Sequence, residues 1–217
     1  MIMDLFLRRV FASTWNVGGI APSDDLDLEN WLDTRANICD IYVLGFQEIV
    51  PLNARNVLGP TKSCISAKWN LLIGEALNKT ERKVHHYSLA SLSKQCAYGT
   101  PAFSFLLCSQ VVLLGDLNYR ISLEEAETRS LVQAKNWAIL LENDQLLFEF
   151  SRGRHFEGWQ EGLITFSPTY KYHPNSDQYY CCFDGARGEK KRAPAWCDRI
   201  LWRGKGLKQI QYETCSY

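Results

Sequence analysis

Asp116, Asn118 and Arg120 stand at alternate positions of one short stretch, Gly115, Asp116, Leu117, Asn118, Tyr119, Arg120. Between them they hold the groups that phosphoryl transfer needs. A carboxylate can take a proton from water, a carboxamide can donate to an anionic oxygen, and a guanidinium can neutralise phosphate. Gly, Asp and Asn at a strand end also serve simply to turn the backbone, so the hexapeptide alone leaves both readings open. A second carboxylate and guanidinium, Asp198 and Arg199, follow Pro194, Ala195, Trp196 and Cys197 and precede the apolar Ile200, Leu201 and Trp202. Asn16 and Glu48 are oxygen-bearing residues at the ends of two further strand-like runs. Taken singly, Asn16 could cap a turn and Glu48 could be a solvated loop charge.

The elements that must carry these groups are legible as patterns. Val111 to Leu114 is a short apolar run that delivers Asp116 as a buried strand would, and residues 11–18 and 41–48 deliver Asn16 and Glu48 in the same way. Trp69, Leu72, Ile73, Ala76 and Leu77 recur at helical spacing within residues 66–79, which predicts an amphipathic helix covering a sheet. Ser122 and Glu125 have capping-box spacing, so a helix is expected to begin at Ser122. Residues 144–162 suggest a helix followed by a glycine-punctuated turn. Strands are expected at 163–170, 197–203 and 206–213, and their succession without helices argues for mixed sheets.

Length and composition bound the possibilities. The chain has 217 residues, 46% of them hydrophobic, enough for one substantial domain over residues 1–217. Its 24 Lys and Arg balance 24 Asp and Glu, so attraction to phosphate must come from a local patch, and a nucleic-acid partner is not expected. The eight cysteines, at 39, 64, 96, 108, 181, 182, 197 and 215, have no CxxC spacing and suggest reduced thiols. No run has the length of a membrane span, and the N-terminal apolar stretch carries charge where a signal peptide needs none. A cytoplasmic chain is the expectation, with any membrane contact peripheral.

GDLNYRI at 115–121 and PAWCDRILW at 194–202, together with the strands ending near Asn16 and Glu48, resemble the inositol polyphosphate 5-phosphatases of the endonuclease/exonuclease/phosphatase superfamily. The resemblance covers residues 11–79 and 110–213, and TYKY followed by NSD is most similar to the plant type I-like members. It implies an α/β (α+β) fold, a four-layer αββα sandwich of two mixed sheets flanked by helices, with Asn16, Glu48, Asp116, Asn118 and Asp198 converging at one end. It also implies that Asn16 and Glu48 hold Mg²⁺, an ion suited to one or two protein oxygens and several waters. Asp116 would activate water and Asn118 would bind the phosphoryl oxygens, in hydrolysis of the 5-phosphate of inositol polyphosphates or phosphoinositide headgroups. Arg120, Tyr170, Lys171, Lys190, Lys191 and Arg192 would contact substrate. A run such as Lys190, Lys191, Arg192 is by itself often only a solvated loop.

The sequence also departs from the family. Asp198 pairs there with a histidine in a final Ser-Asp-His strand, and no histidine follows His173. A Ser-His-Leu motif and a Gly-Asn-Lys-Gly loop are missing as well, and residues 89–109 lack the periodicity of the central strands that stand there in the family. The sandwich is therefore expected to be incomplete, and the chain as written to turn over little substrate. The alternatives are a headgroup-binding relative without turnover, a truncated gene product or, disfavoured by the balanced charge, a nuclease.

Overall fold

Two largely apolar strands stand near the start of the chain, β1 (Val10–Asn16) and β2 (Ile41–Gln47), which pair in parallel with Trp15 beside Phe46. The period of 2 puts Phe11 and Trp15, with Tyr42, Leu44 and Phe46, on one face of this ribbon. That face is covered by α1 (Thr61–Asn78). Trp69, Ile73, Ala76 and Leu77 recur at helical spacing and are buried, as the pattern predicts. Trp69 lies 4.8 Å from Phe46 and 5.5 Å from Trp15, centroid to centroid, and Trp31 closes the group at 5.3 Å from Trp15.

The computed structural model describes residues 8–51, 61–79, 110–153, 156–173, 176–180 and 192–215. Contacts divide the chain into two units, Met1–Thr100 and Pro101–Tyr217. The ribbon and α1 belong to the first.

In the second unit β3 (Gln110–Asp116), β4 (Trp159–Glu161) and β5 (Asp198–Gly204) form an antiparallel sheet in the order β3-β5-β4. Arg199 and Leu201 are buried while Asp198, Ile200 and Trp202 are half-buried, so β5 has one face inward. Three short helices follow β3: α2 (Glu125–Gln133), α3 (Trp137–Glu142) and α4 (Gln145–Arg152). Asp144 caps α4, its side chain accepting from Leu147 N at 3.0 Å, and Gly153 ends it with a φ of +66°, where a Cβ would be strained. Ile121, Leu140, Ile164, Ala195, Trp196 and Cys197 make the core of this unit. Two sheets with helices agree with the expected α+β class; among the described residues one is parallel and the other antiparallel.

Three expectations need correction. The helix after β3 begins at Glu125 with Glu124 at its N-cap and no side-chain cap, so the Ser122 capping box does not form. Ser122 is engaged elsewhere, its N–H donating to Asn143 O at 2.8 Å and its hydroxyl accepting from Gln145 Nε2 at 3.5 Å. Residues 163–170 and 206–213 form no strand ladder. The first segment meets residue 195 through one isolated bridge at Tyr170. The second is irregular, with Tyr212 directed to Glu161 and to the Ile200 N–H at 3.2 and 3.3 Å. Residues 89–109, where the family's central strands were not found, lie outside the described residues, as do Lys190 and Lys191. Among the described residues, no helix is long and apolar enough to cross a membrane.

Candidate active site

The first unit offers an oxygen pair. β1 and β2 are parallel and in register, so their C-terminal ends lie side by side, and Asn16 Nδ2 donates to Glu48 Oε1 at 3.3 Å. Asn16 Oδ1 accepts from the Gly18 N–H at 3.0 Å. Glu48 is exposed with a φ of +51°, and its carbonyl accepts from Gly19 N at 2.6 Å. Gly19, which sequence reasoning overlooked, has a φ of +77°, and a Cβ on it would lie 2.9 Å from Pro51 N. Only glycine lets the loop after β1 pass so close to the loop that aims Glu48. A carboxylate and a carboxamide oxygen are hard donors, and they fit a largely hydrated Mg²⁺. No group of three His, Cys, Asp or Glu suited to a metal occurs among the described residues.

The second unit assembles the larger group. Because β5 runs antiparallel to β3, the start of one lies beside the end of the other, and Asp116 and Asp198 are register partners. Asp116 Oδ1 accepts from the Asn118 N–H at 3.0 Å, which holds Asn118 in the left-handed region at a φ of +58°. Asn118 Oδ1 in turn accepts from Arg120 Nη2 at 2.9 Å. The Arg120 guanidinium lies over the Tyr170 ring, 4.2 Å from its centroid, and Arg192 Nη1 donates to the Tyr170 hydroxyl at 2.5 Å. Two cations are thus mounted on one tyrosine, one on its face and the other at its hydroxyl. Lys171 lies over the Tyr180 ring, 4.9 Å from its centroid.

Asp198 has an unusual setting. Burial pushes its carboxyl up to about 6; the Thr169 hydroxyl pulls the other way and the charge of Asp116 adds to the rise. Its Oδ1 is buried and finds no hydrogen-bond partner among the described residues. Thr169, the first residue of TYKY, carries no chemistry legible in the sequence, yet its Oγ1 accepts from the N–H groups of both Cys197 and Asp198 at 3.2 Å. It fixes the start of β5. Cys197 is buried and burial raises its thiol to about 12, so it is no nucleophile at neutral pH.

Beneath Asp198, Arg199 is wholly buried between two acids. Its Nη1 lies 2.9 Å from Asp144 Oδ2, and its Nε and Nη2 each lie 2.6 Å from a Glu161 oxygen. Burial alone would lower the guanidinium, but Glu161 and Asp144 more than offset it and hold it above its ordinary value. Burial raises Glu161, against the pull of Arg199. Such a triad holds only if complete, since losing one member strands a buried charge.

Comparison with known proteins matches this arrangement to a known group. Residues 13–105 and 85–217 match the profile of Endonuclease/Exonuclease/phosphatase family 2. The type IV inositol polyphosphate 5-phosphatase 9 of Arabidopsis thaliana is 40% identical, over 94% of this chain and 73% of its own length. The chain belongs to the inositol polyphosphate 5-phosphatase family. Type I inositol polyphosphate 5-phosphatase 8 of Arabidopsis thaliana is 33% identical, covering 94% of this chain and 66% of that one, so both type I and type IV names occur among the plant relatives of this 5-phosphatase-family chain. The alignment with phosphatase 9 runs over 303 positions, more than the 217 residues available, so this family member aligns with gaps. The crystal structure of the inositol polyphosphate 5-phosphatase domain of SPsynaptojanin, in complex with inositol (1,4)-bisphosphate and calcium ion, superposes with a TM-score of 0.69 at 25% identity. It covers 91% of this chain and 76% of that domain.

Proposed function

We propose that residues 1–217 act as one catalytic domain for Mg²⁺-dependent hydrolysis of the 5-phosphate of inositol polyphosphates or phosphoinositide headgroups, with the low turnover expected where the family's Ser-His-Leu motif is missing. The observation that carries this reading is the chain of contacts Asp116, Asn118, Arg120, Tyr170, Arg192, which sets a carboxylate, a carboxamide and two guanidiniums in a continuous row. In this row Asp116 takes the proton of the attacking water, and Asn118 donates to the phosphoryl oxygens as charge develops on them. Arg120 and Arg192 neutralise phosphate, and Tyr170 holds both in place. Lys171, Lys190 and Lys191 are assigned to the neighbouring ring phosphate, and Asp198 is assigned a catalytic role beside Asp116.

Asn16 and Glu48 are assigned to the metal. When bound, Mg²⁺ would supply charge neutralisation for the phosphate and the departing alkoxide. The inositol (1,4)-bisphosphate in the SPsynaptojanin complex supports a ring substrate, since it is the ring that remains when a 5-phosphate leaves the 1,4,5-trisphosphate. A soluble or lipid-borne headgroup would meet the same row, with membrane contact peripheral and the setting cytoplasmic.

The test is phosphate release by the full chain from inositol 1,4,5-trisphosphate with and without Mg²⁺. Release that requires Mg²⁺ and falls in Asn118→Ala supports the reading. Binding of the ring without release would make the chain a headgroup binder, and Mg²⁺-dependent nicking of DNA would make it a nuclease.

A further inference from the structure

Arg120 does its work in a loop, and a loop must be held. Its own strand has ended: β3 stops at Asp116, and Asn118 then turns the chain through a φ of +58°. The backbone of Arg120 is nevertheless bonded in both directions, and by a single residue. The Gln145 N–H donates to Arg120 O at 2.9 Å, and Gln145 Oε1 accepts from Arg120 N at 3.1 Å. The grip continues along the chain, with an isolated bridge between Ile121 and Asp144 and the Ser122 N–H donating to Asn143 O at 2.8 Å.

Gln145 is itself well anchored. It is the first residue of α4, whose N-cap Asp144 is 1% exposed and ion-paired through Arg199 Nη1 at 2.9 Å. Arg199 adjoins Asp198. One buried ion pair therefore ties the strand that carries Asp198 to the helix start that carries the loop of Arg120. The Gln145 side chain, by contrast, is exposed, so it contributes little to the core and its carboxamide is free to serve the loop.

We propose that Gln145 is a positioning residue for phosphate recognition: by holding both backbone groups of Arg120 it aims the guanidinium that bonds Asn118 and stacks on Tyr170. This rests on the headgroup-binding reading of the site. Gln145 touches no substrate in this role. Its loss displaces Arg120 and, through the 2.9 Å bond between them, Asn118.

The experiment compares the full chain with Gln145→Met, which keeps side-chain length and helix propensity but removes the acceptor, and with Gln145→Glu, which keeps the acceptor. Affinity for inositol 1,4-bisphosphate is measured by calorimetry, and protection of the Arg120 amide by hydrogen exchange. Gln145→Met is expected to bind about fivefold to tenfold more weakly, the scale of one hydrogen bond, with an unchanged melting temperature and a faster-exchanging Arg120 amide. Gln145→Glu is expected to retain that protection. In an Arg120→Gln background most of the Gln145→Met effect on binding disappears, which a merely structural role would not produce. Equal affinity for Gln145→Met and the parent, or an effect undiminished in Arg120→Gln, overturns the proposal. If the parent chain itself fails to bind the bisphosphate, the headgroup reading falls, and the exchange measurement alone decides whether Gln145 holds Arg120: unchanged protection in Gln145→Met overturns that too.

Discussion

Asp116 and Asp198 face each other across an antiparallel register pair at the joined ends of β3 and β5, and burial raises the second of them to about 6. Two acids so placed resist carrying two charges together. The folded state therefore favours neutral Asp198, relative to an unfolded chain in which it ionises near its ordinary value of 3.8. That preference contributes fully below the unfolded value and is lost as pH rises through about 6, leaving a cost on the order of 3 kcal/mol for an ionised Asp198. Asp198→Asn removes this cost. The difference in thermal stability between Asp198→Asn and the parent is expected to shift in favour of the variant between about pH 4 and pH 7 and to level off above it. Parallel melting curves across that range would contradict the assignment.

Arg199→Met leaves Asp144 and Glu161 buried without their cation. A loss of about 3–5 kcal/mol is expected in denaturant unfolding. Replacing all three by apolar residues of similar volume should recover much of it, because the isolated charges and not the missing contacts carry the penalty.

Gly19→Ala puts a methyl 2.9 Å from the Pro51 backbone nitrogen at a φ of +77°. The Pro51 atoms it would meet belong to the backbone and the closed ring, not to a flexible side-chain tip. About 1–3 kcal/mol of destabilisation is expected, with weaker Mg²⁺ binding as the Glu48 loop moves, measured by unfolding and by metal titration.

Tyr170→Phe keeps the ring beneath Arg120 and removes the hydroxyl that accepts from Arg192. Affinity for inositol 1,4-bisphosphate should fall about tenfold, the scale of a hydrogen bond to a charged group. Tyr170→Leu should lose more, since the seat of Arg120 goes with the ring.

The helix carrying Trp69, Ile73, Ala76 and Leu77 was legible because its burial follows a local period, and β1, β2 and β3 because each is an apolar run ending in a polar group. The three-residue β4 is too short for a period to register. The Ser122 capping box failed because the Ser122 N–H and hydroxyl are drawn to Asn143 and Gln145, partners no local window contains. Residues 163–170 have strand-like composition, but their polar atoms serve the start of β5 and the residues just before it: Phe166 O accepts from Trp196 Nε1 at 3.1 Å, and Thr169 Oγ1 holds the N–H groups of Cys197 and Asp198.

The sequence by itself determined which chemistries are available, since a carboxylate, a carboxamide or a guanidinium is a property of the side chain, and the wording around Asp116 and Asp198 carried the family. Only the tertiary structure decided how those groups meet. That Asp198 faces Asp116, that Arg120 and Arg192 share Tyr170, and that Arg199 is locked between Asp144 and Glu161 all depend on strand register and on contacts between residues far apart in the chain. Burial, which raises Asp198 while its charge sits beside Asp116, exists only once those strands have closed over it, because desolvation belongs to the folded surroundings and not to the residue.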